Sequence, residues 1–326
     1  MVFTGGTISM RPDPDAGGNT PVLGGAEILA MAPDLARIAD IEPVDWGLVP
    51  ASHLRFSQIL DIARLLESQL ARPEIDGAVV VQGTDSIEET AFAFDLLLPD
   101  AKPVVVTGAM RDASAADYDG PRNLADAVRC AVEPRLAGRG VQVVLGGLIV
   151  PAAEVVKTHS TALDTFQPRD GPPTGRVVGE DVILEGGRAT ARRGLPRVPA
   201  DPVENVPLVT VVTGMDGTLV RALAPLEPSG LVVAATGSGN THPDLLAACV
   251  DLMAIGTVVC LTTRCPRGVV APIYAFPGGG AAWQRAGALL STLDGPKTRV
   301  ALALGLACGL SRPELSSLVG GELASA

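Results

Sequence analysis

Short runs of branched apolar residues alternate along this chain with longer stretches of helical periodicity, and this rhythm restricts the fold more than any other feature. Such runs predict six strands, at residues 77–81, 103–107, 142–149, 208–212, 230–235 and 257–261. Helical periodicity predicts helices that include residues 26–31, 56–69, 87–97, 121–130, 243–251, 281–290 and 296–308. Strands and helices that alternate in this way are typical of parallel sheets covered by helices.

The chain length and a change in composition at residues 191–207 predict two domains in this α/β chain. Its 326 residues are enough for two hydrophobic cores. Residues 191–207 hold four prolines and several charges but little periodicity, which is typical of a linker. We therefore expect a larger N-terminal domain at 1–190, a linker at 191–207 and a smaller C-terminal domain at 208–326. Each domain should contain a mainly parallel sheet flanked by helices.

Charge and composition exclude several classes of protein. The formal net charge of −11 argues against nucleic acid and anionic membrane surfaces as partners. The longest apolar stretch, 141–156, contains Pro151 and Glu154 and is too short to span a membrane. Five scattered cysteines without a CxxC pair, and no visible export signal, predict a cytoplasmic protein with reduced thiols. The three dispersed histidines predict no metal site.

Two strands of the predicted fold end in glycine followed by threonine. The first pattern is TGGT at residues 4–7 and the second is GTDS at residues 83–86. Either one alone also fits an ordinary turn with a helix cap, and Ser86 with Glu89 predicts a capping box for the helix at 87–97. Ligands of open α/β folds bind at the carboxyl ends of the strands. The repeated pattern therefore predicts that two hydroxyls converge at one sheet edge.

Two further stretches carry polar side chains directly after apolar runs. Lys157, one of only three lysines, lies in VKTHST at 156–161 after an apolar run. A lysine with a lowered pKa can serve as a base, although a surface lysine is the simpler interpretation of its position alone. GAMR at 108–111 and DGPRNL at 119–124 fit turn chemistry when read by themselves. Neither a phosphate-binding loop nor a dinucleotide fingerprint is present; GSGN at 237–240 does not match GxGxxG.

Taken together, these blocks resemble the bacterial-type L-asparaginase family over essentially the whole chain. The order and spacing of TGGTI, GTDSIEET, GAMR, DGPRNL, VKT and GSGN all agree with that family. The resemblance implies a two-domain α/β amidohydrolase that releases ammonia from L-asparagine, with L-glutamine as a second candidate substrate. It implies no cofactor and no metal. It also implies a homodimer or a dimer of dimers (a homotetramer).

The resemblance assigns roles residue by residue. It makes Thr7 the nucleophile on a mobile N-terminal loop and Lys157 a base that acts on Thr84. Asp85 would hold the lysine and the α-amino group of the substrate. The reaction implied is covalent acyl transfer followed by hydrolysis of the ester. The resemblance implies substrate-binding roles for Gly6, Ser52, Gly83, Ala109 and Asn240, the last of which would complete the site of a neighbouring subunit.

The chain departs from the family pattern in its recognition elements. The family usually has a tyrosine in the loop after the first motif. Here that region reads GNTPV at 18–22, and Asn19 or Thr20 is a candidate substitute. The usual substrate-carboxylate serine is replaced by Ala51, next to Ser52. The usual histidine before Gly83 is Gln82, and residues 272–280 offer no clear match for the family's acidic residue from the neighbouring subunit.

These departures leave other functions open. One is an asparaginase-like protein of weak or altered activity that binds an amino acid or another small amide. Another is the related tRNA-dependent amidotransferase subunit. The acidic charge and the nearness of Thr7 to the start of the sequence argue against that subunit. Ammonia release from asparagine separates the amidohydrolase from the binding protein.

Overall fold

The computed structural model describes residues 1–185 and 194–320. It divides the chain into two compact units, 1–194 and 195–326. The predicted two-domain α/β architecture, with mainly parallel sheets and a larger N-terminal domain, is confirmed. The predicted limits at 190 and 208, and the linker at 191–207, stay predictions. Residues 191–193 of that linker and 321–326 of the second domain lie outside the described residues.

Within residues 1–185, the N-terminal unit contains one large sheet and two smaller ribbons. Its strands are β1 (Val2–Phe3), β2 (Met10–Asp13), β3 (Gly18–Pro21), β4 (Val44–Asp45), β5 (Ala78–Val81), β6 (Val104–Thr107), β7 (Gln142–Leu145), β8 (Leu148–Pro151), β9 (Val155–Lys157), β10 (Phe166–Pro168), β11 (Gly175–Val178) and β12 (Asp181–Leu184). The main sheet has the order β12-β11-β8-β7-β6-β5-β1-β4, parallel from β7 to β4. The pairs β2–β3 and β9–β10 form separate two-stranded ribbons.

Valine-rich strands and amphipathic helices form the core of this unit. The helices are α1 (Gly25–Ala30), α2 (Phe56–Leu70), α3 (Ile87–Leu97) and α4 (Gly120–Ala131). Strands β5 and β6 are buried at every position because helices cover the sheet. The prediction of one strand at 142–149 is wrong. Gly146 and Gly147 adopt positive φ and turn the chain into the β7–β8 hairpin.

The C-terminal unit repeats the principle on a smaller scale. Its parallel sheet has the order β13 (Leu208–Thr210), β14 (Gly230–Ala235), β15 (Val258–Thr263) and β16 (Leu289–Leu290). The helices are α5 (Thr218–Arg221), α6 (Pro243–Ala254), α7 (Gly280–Ala286), α8 (Gly295–Ala307) and α9 (Arg312–Gly320). The predicted helix at 281–290 is wrong at its end, because Gly287 turns left-handed and releases β16 to pair with β15.

Candidate active site

The backbone contact between Gly6 and Gly83 joins the two threonine motifs. Strand β1 lies beside β5, and the Thr4 amide and hydroxyl both donate to the Val81 carbonyl, at 2.9 and 3.2 Å. A Cβ on Gly6 would lie 2.2 Å from the backbone nitrogen of Gly83, so only glycine fits there. Thr7 and Thr84 are the residues that directly follow these two glycines, so both lie at the carboxyl edge of the sheet.

Thr7 opens a single helical turn whose backbone is held on both sides. The Ser9 amide and hydroxyl both donate to the Gly6 carbonyl, at 2.9 and 2.7 Å. The Met10 amide donates to the Thr7 carbonyl. The half-buried Thr7 hydroxyl makes no hydrogen bond to any described residue. A fixed backbone with an uncommitted hydroxyl suits a nucleophile.

Thr84, Asp85 and Lys157 form a hydrogen-bonded cluster. Lys157 Nζ lies 3.0 Å from Thr84 Oγ1 and 2.8 Å from Asp85 Oδ1. The lysine side chain is 14 % exposed and that of Asp85 is 71 % exposed, so the carboxylate faces outward. The Lys157 backbone amide donates to Glu88 Oε2 at 2.8 Å, which fixes the lysine-bearing strand to helix α3. This geometry suits proton exchange between a threonine and a lysine.

Lys157 ends β9, the first strand of the β9–β10 ribbon. The loop that follows is closed by His159, whose Nδ1 accepts the amides of Thr161 at 3.0 Å and Ala162 at 3.1 Å. Arg111 Nη1 donates to the Thr161 carbonyl at 2.8 Å. The ribbon that carries the lysine is thus tied to the segment that begins with GAMR.

The DGPRNL motif shapes the backbone after β6. The Asp119 carboxylate accepts the amides of Met110 and Arg111, and Asn123 Nδ2 donates to Asp119 at 2.9 Å and to the Gly108 carbonyl at 3.0 Å. Ala109, a predicted substrate-binding position, is fully buried within this loop. The side chains of the motif therefore stabilise this turn, and any contact of Ala109 with a ligand would come from its backbone.

Tyr118 was missed at the level of sequence. Its hydroxyl donates to the carbonyl of Ile8 at 3.0 Å, one residue after Thr7. Burial, with the nearby Asp119 and Asp112 carboxylates, raises the pKa of Tyr118 to about 12. The one signal in the sequence was its place directly before the DGPRNL motif.

The 50–54 segment contacts the second threonine motif. Ala51 is buried, and a Cβ on Gly83 would lie 2.8 Å from the Ala51 Cβ. The Ser86 hydroxyl donates to the Ala51 carbonyl at 3.2 Å and makes no cap bond, so the predicted capping box is wrong. The neighbouring Ser52 is exposed. Gln82 is buried, and its Oε1 has no partner among the described residues.

The remaining predicted positions are dispersed. Asn19 and Thr20 lie in β3, with Asn19 Nδ2 3.1 Å from Asp112 Oδ2 and Thr20 Oγ1 3.5 Å from Asp13 Oδ2. Asn240 lies in the C-terminal unit, where its backbone pairs with Thr236. Its Oδ1 is buried without a partner among residues 1–185 and 194–320.

The described residues lack two features, a cluster of metal-ligating side chains and a helix that could span a membrane. No group of three or more His, Cys, Asp and Glu side chains there is arranged to hold a metal ion. No described helix combines the length and apolar character needed to cross a bilayer. All five cysteines are free thiols, and burial raises the pKa of Cys130, Cys249 and Cys260 to about 12.

Comparison with known proteins gives consistent matches over both units. Residues 1–189 match the family described as "Asparaginase, N-terminal", and residues 205–318 match "Glutaminase/Asparaginase C-terminal domain". A probable L-asparaginase of Deinococcus radiodurans is 38 % identical over 325 residues, covering 97 % of this chain and 94 % of that protein. L-asparaginase 2 of Escherichia coli is 28 % identical, with 94 % and 88 % covered.

A solved structure shows the same similarity in three dimensions. The crystal structure of a probable cytoplasmic L-asparaginase from Campylobacter jejuni superposes with a TM-score of 0.85 at 28 % sequence identity. The superposition covers 98 % of this chain and 97 % of that one. The fold is therefore shared over nearly the full length of both chains.

Proposed function

This chain belongs to the asparaginase family as an asparaginase-type amidohydrolase, and we propose that it releases ammonia from L-asparagine through a threonine acyl-enzyme, with L-glutamine as a second candidate substrate. The observation that carries the proposal is the placement of Lys157 Nζ, 3.0 Å from Thr84 Oγ1 and 2.8 Å from Asp85 Oδ1. The sequence resemblance predicted the same family from TGGTI and GTDSIEET.

In the proposed first step, Thr7 Oγ1 attacks the carbon of the substrate's side-chain amide. The threonine proton passes by way of Thr84 to Lys157 Nζ, the proposed base, and a proton returns to the amide nitrogen as the C–N bond breaks. Ammonia departs, and a β-aspartyl ester remains on Thr7. Water then attacks the ester, which releases aspartate and restores the threonine hydroxyl.

Substrate recognition follows from the groups around this centre. The exposed carboxylate of Asp85 is suited to an α-ammonium group, and the exposed hydroxyl of Ser52 to an α-carboxylate. Gly6 and Gly83, whose backbones approach closely, would leave their amides open to the amide oxygen of the substrate. One such oxyanion donor is worth about 3 kcal/mol of transition-state stabilisation.

Assembly and location are also part of the proposal. The family resemblance supports a role for Asn240 in completing a neighbouring subunit's site, in a homodimer or a dimer of dimers. Sedimentation together with activity on dilution tests it, because a fully active monomer would contradict this arrangement. The free thiols support a cytoplasmic location.

Ammonia release from L-asparagine, L-glutamine and D-asparagine tests the function directly. Thr7→Ala should abolish turnover without unfolding the protein, because it removes one unbonded hydroxyl. Thr174→Val is the matched control, since it removes a buried hydroxyl that donates to Gln142 Oε1 at 2.7 Å outside the proposed catalytic cluster. Thr7→Ala activity above about one hundredth of wild type would overturn the nucleophile assignment.

Two further measurements accompany that assay. A rapidly quenched digest should show an aspartyl adduct on the peptide that contains Thr7, and an adduct on the Thr84 peptide instead would exchange the two roles. Wild-type protein that binds asparagine by calorimetry but releases no ammonia would contradict the amidohydrolase and favour the binding protein.

A further inference from the structure

The turn that carries Thr7 is anchored by a residue more than a hundred positions away. Every carbonyl from Gly6 to Met10 accepts a hydrogen bond, and the donor to Ile8 is a side chain, the Tyr118 hydroxyl, at 3.0 Å. The Ala113 amide donates to the Met10 carbonyl at 3.3 Å. The segment between β6 and α4 therefore braces the carboxyl side of the nucleophile turn.

The position of the Tyr118 ring is fixed by its neighbours in the chain. Asp119 is held by the amides of Met110 and Arg111, and the Tyr118 amide donates to the Ala115 carbonyl at 3.2 Å. The ring lies against Gly120, where a Cβ would sit 2.3 Å from the phenol. The ring also packs against the apolar cluster that contains Ile8. A hydroxyl on so constrained a ring has little freedom to leave its acceptor.

The hydroxyl stays a donor over the whole range of ordinary pH. Burial and the Asp119 and Asp112 carboxylates raise the pKa of Tyr118 to about 12. The phenol is thus neutral wherever the enzyme is assayed. A phenol that keeps its proton suits a permanent hydrogen-bond donor better than a group that carries protons, for which a pKa near the working pH is needed.

We propose that Tyr118 is a positioning residue, whose hydroxyl orients the Thr7 turn for attack on the substrate amide. The inference rests on the proposed role of Thr7 as nucleophile. Asn19 and Thr20, the candidates offered by the sequence for the absent loop tyrosine, hydrogen-bond to Asp112 and Asp13. Tyr118 acts from a different element and through the backbone, so it fixes the nucleophile without itself exchanging a proton with it.

Tyr118→Phe tests the inference because it keeps the ring over Gly120 and removes only the hydroxyl. We expect kcat to fall about tenfold or more, since small misplacements of reacting groups are costly, while KM changes less than about twofold. KM should change little because Asp85 and Ser52, which are proposed to bind the charged groups of the substrate, lie in segments of the chain other than this turn. Thr174→Val, which also loses one buried hydroxyl bond, should leave both kcat and KM unchanged.

Each outcome of this experiment decides something. A Tyr118→Phe enzyme with wild-type kcat at a temperature where it is fully folded would overturn the inference, whatever its loss of thermal stability. An equal fall of kcat in Thr174→Val would do the same, because the effect would then be a general response to lost packing. Wild-type protein that releases no ammonia would instead refute the proposed function. Hydrogen exchange of the Ser9 and Met10 backbone amides is a second measurement. The exchange should be faster in Tyr118→Phe and unchanged in Thr174→Val.

Discussion

Replacing Gly6 by alanine tests the close contact on which the whole site depends. The new Cβ would lie 2.2 Å from both the nitrogen and the Cα of Gly83, and these backbone atoms cannot swing aside. Carbon atoms pack at about 3.5–4.0 Å, so the two backbones would have to part by more than about 1 Å. Gly6 also has φ 97° and ψ −173°, a conformation that residues with a Cβ rarely adopt.

These two penalties set the expected size of the effect. The backbone conformation costs about 1–3 kcal/mol for a non-glycine residue, and overpacking costs about 1–3 kcal/mol more. The free energy of unfolding should therefore fall by about 2–6 kcal/mol, out of a typical total of about 5–15 kcal/mol. Because Thr7 directly follows Gly6, the displaced backbone would also move the proposed nucleophile, and kcat should fall about 100-fold in the folded fraction.

Gly138→Ala is the matched control. Gly138 also has positive φ, at 75°, but no atom lies within 4 Å of its would-be Cβ. It should lose only about 1–2 kcal/mol and keep its activity. Denaturant unfolding, amide exchange of peptides from residues 1–185 and ammonia release would be compared for both variants. Equal stability losses in the two, or wild-type kcat in Gly6→Ala, would refute the reasoning.

Two further predictions concern recognition and pH. Ala51→Ser should lower KM for asparagine with little change in kcat, since it would add a hydroxyl beside that of Ser52 and a hydrogen bond to a charged group is worth about 1.5–3 kcal/mol; an unchanged or higher KM would contradict this. Burial raises the pKa of Cys249 from 9.0 to about 12, so the unfolded chain loses this thiol proton first as pH rises. The free energy of unfolding should fall between those pH values, and Cys249→Ala should lessen the fall; a fall of the same size in the variant would contradict this.

The alternation of strands and helices could be predicted from the sequence because the signals for each element are local. Strand β14 and helix α3 begin and end where their apolar patterns do. The hairpin at Gly146 and Gly147 was missed because apolar residues flank the glycine pair on both sides, and the prediction treated the whole stretch as one strand although paired glycines favour a turn. The end of α7 at Gly287 was missed because a single glycine can lie within a helix as well as just past its end.

The site shows a different limit of sequence reasoning. Lys157, Asp85, Thr7 and Thr84 were predicted as site residues from motifs, but the distances of Lys157 to Thr84 and Asp85 depend on how distant segments pack together. The bond from Tyr118 to Ile8 joins residues 110 positions apart, and no periodicity reports such a contact. Ser86 was assigned to a helix cap, whereas its hydroxyl bonds to Ala51 across the fold. Local rules favour a local partner, and tertiary structure supplied a distant one.

The place of β1 between β4 and β5 has a consequence for how the protein is made. Val2 pairs with Val80, and the Ile8 carbonyl accepts from Tyr118, so the turn that carries Thr7 is synthesised well before these partners. At about 5–20 residues per second, roughly 8–30 s separate the emergence of Thr7 from that of Lys157 on a ribosome. Contacts of such long range also slow folding. On the proposed mechanism, we therefore expect no ammonia release from a nascent chain before Lys157 has emerged.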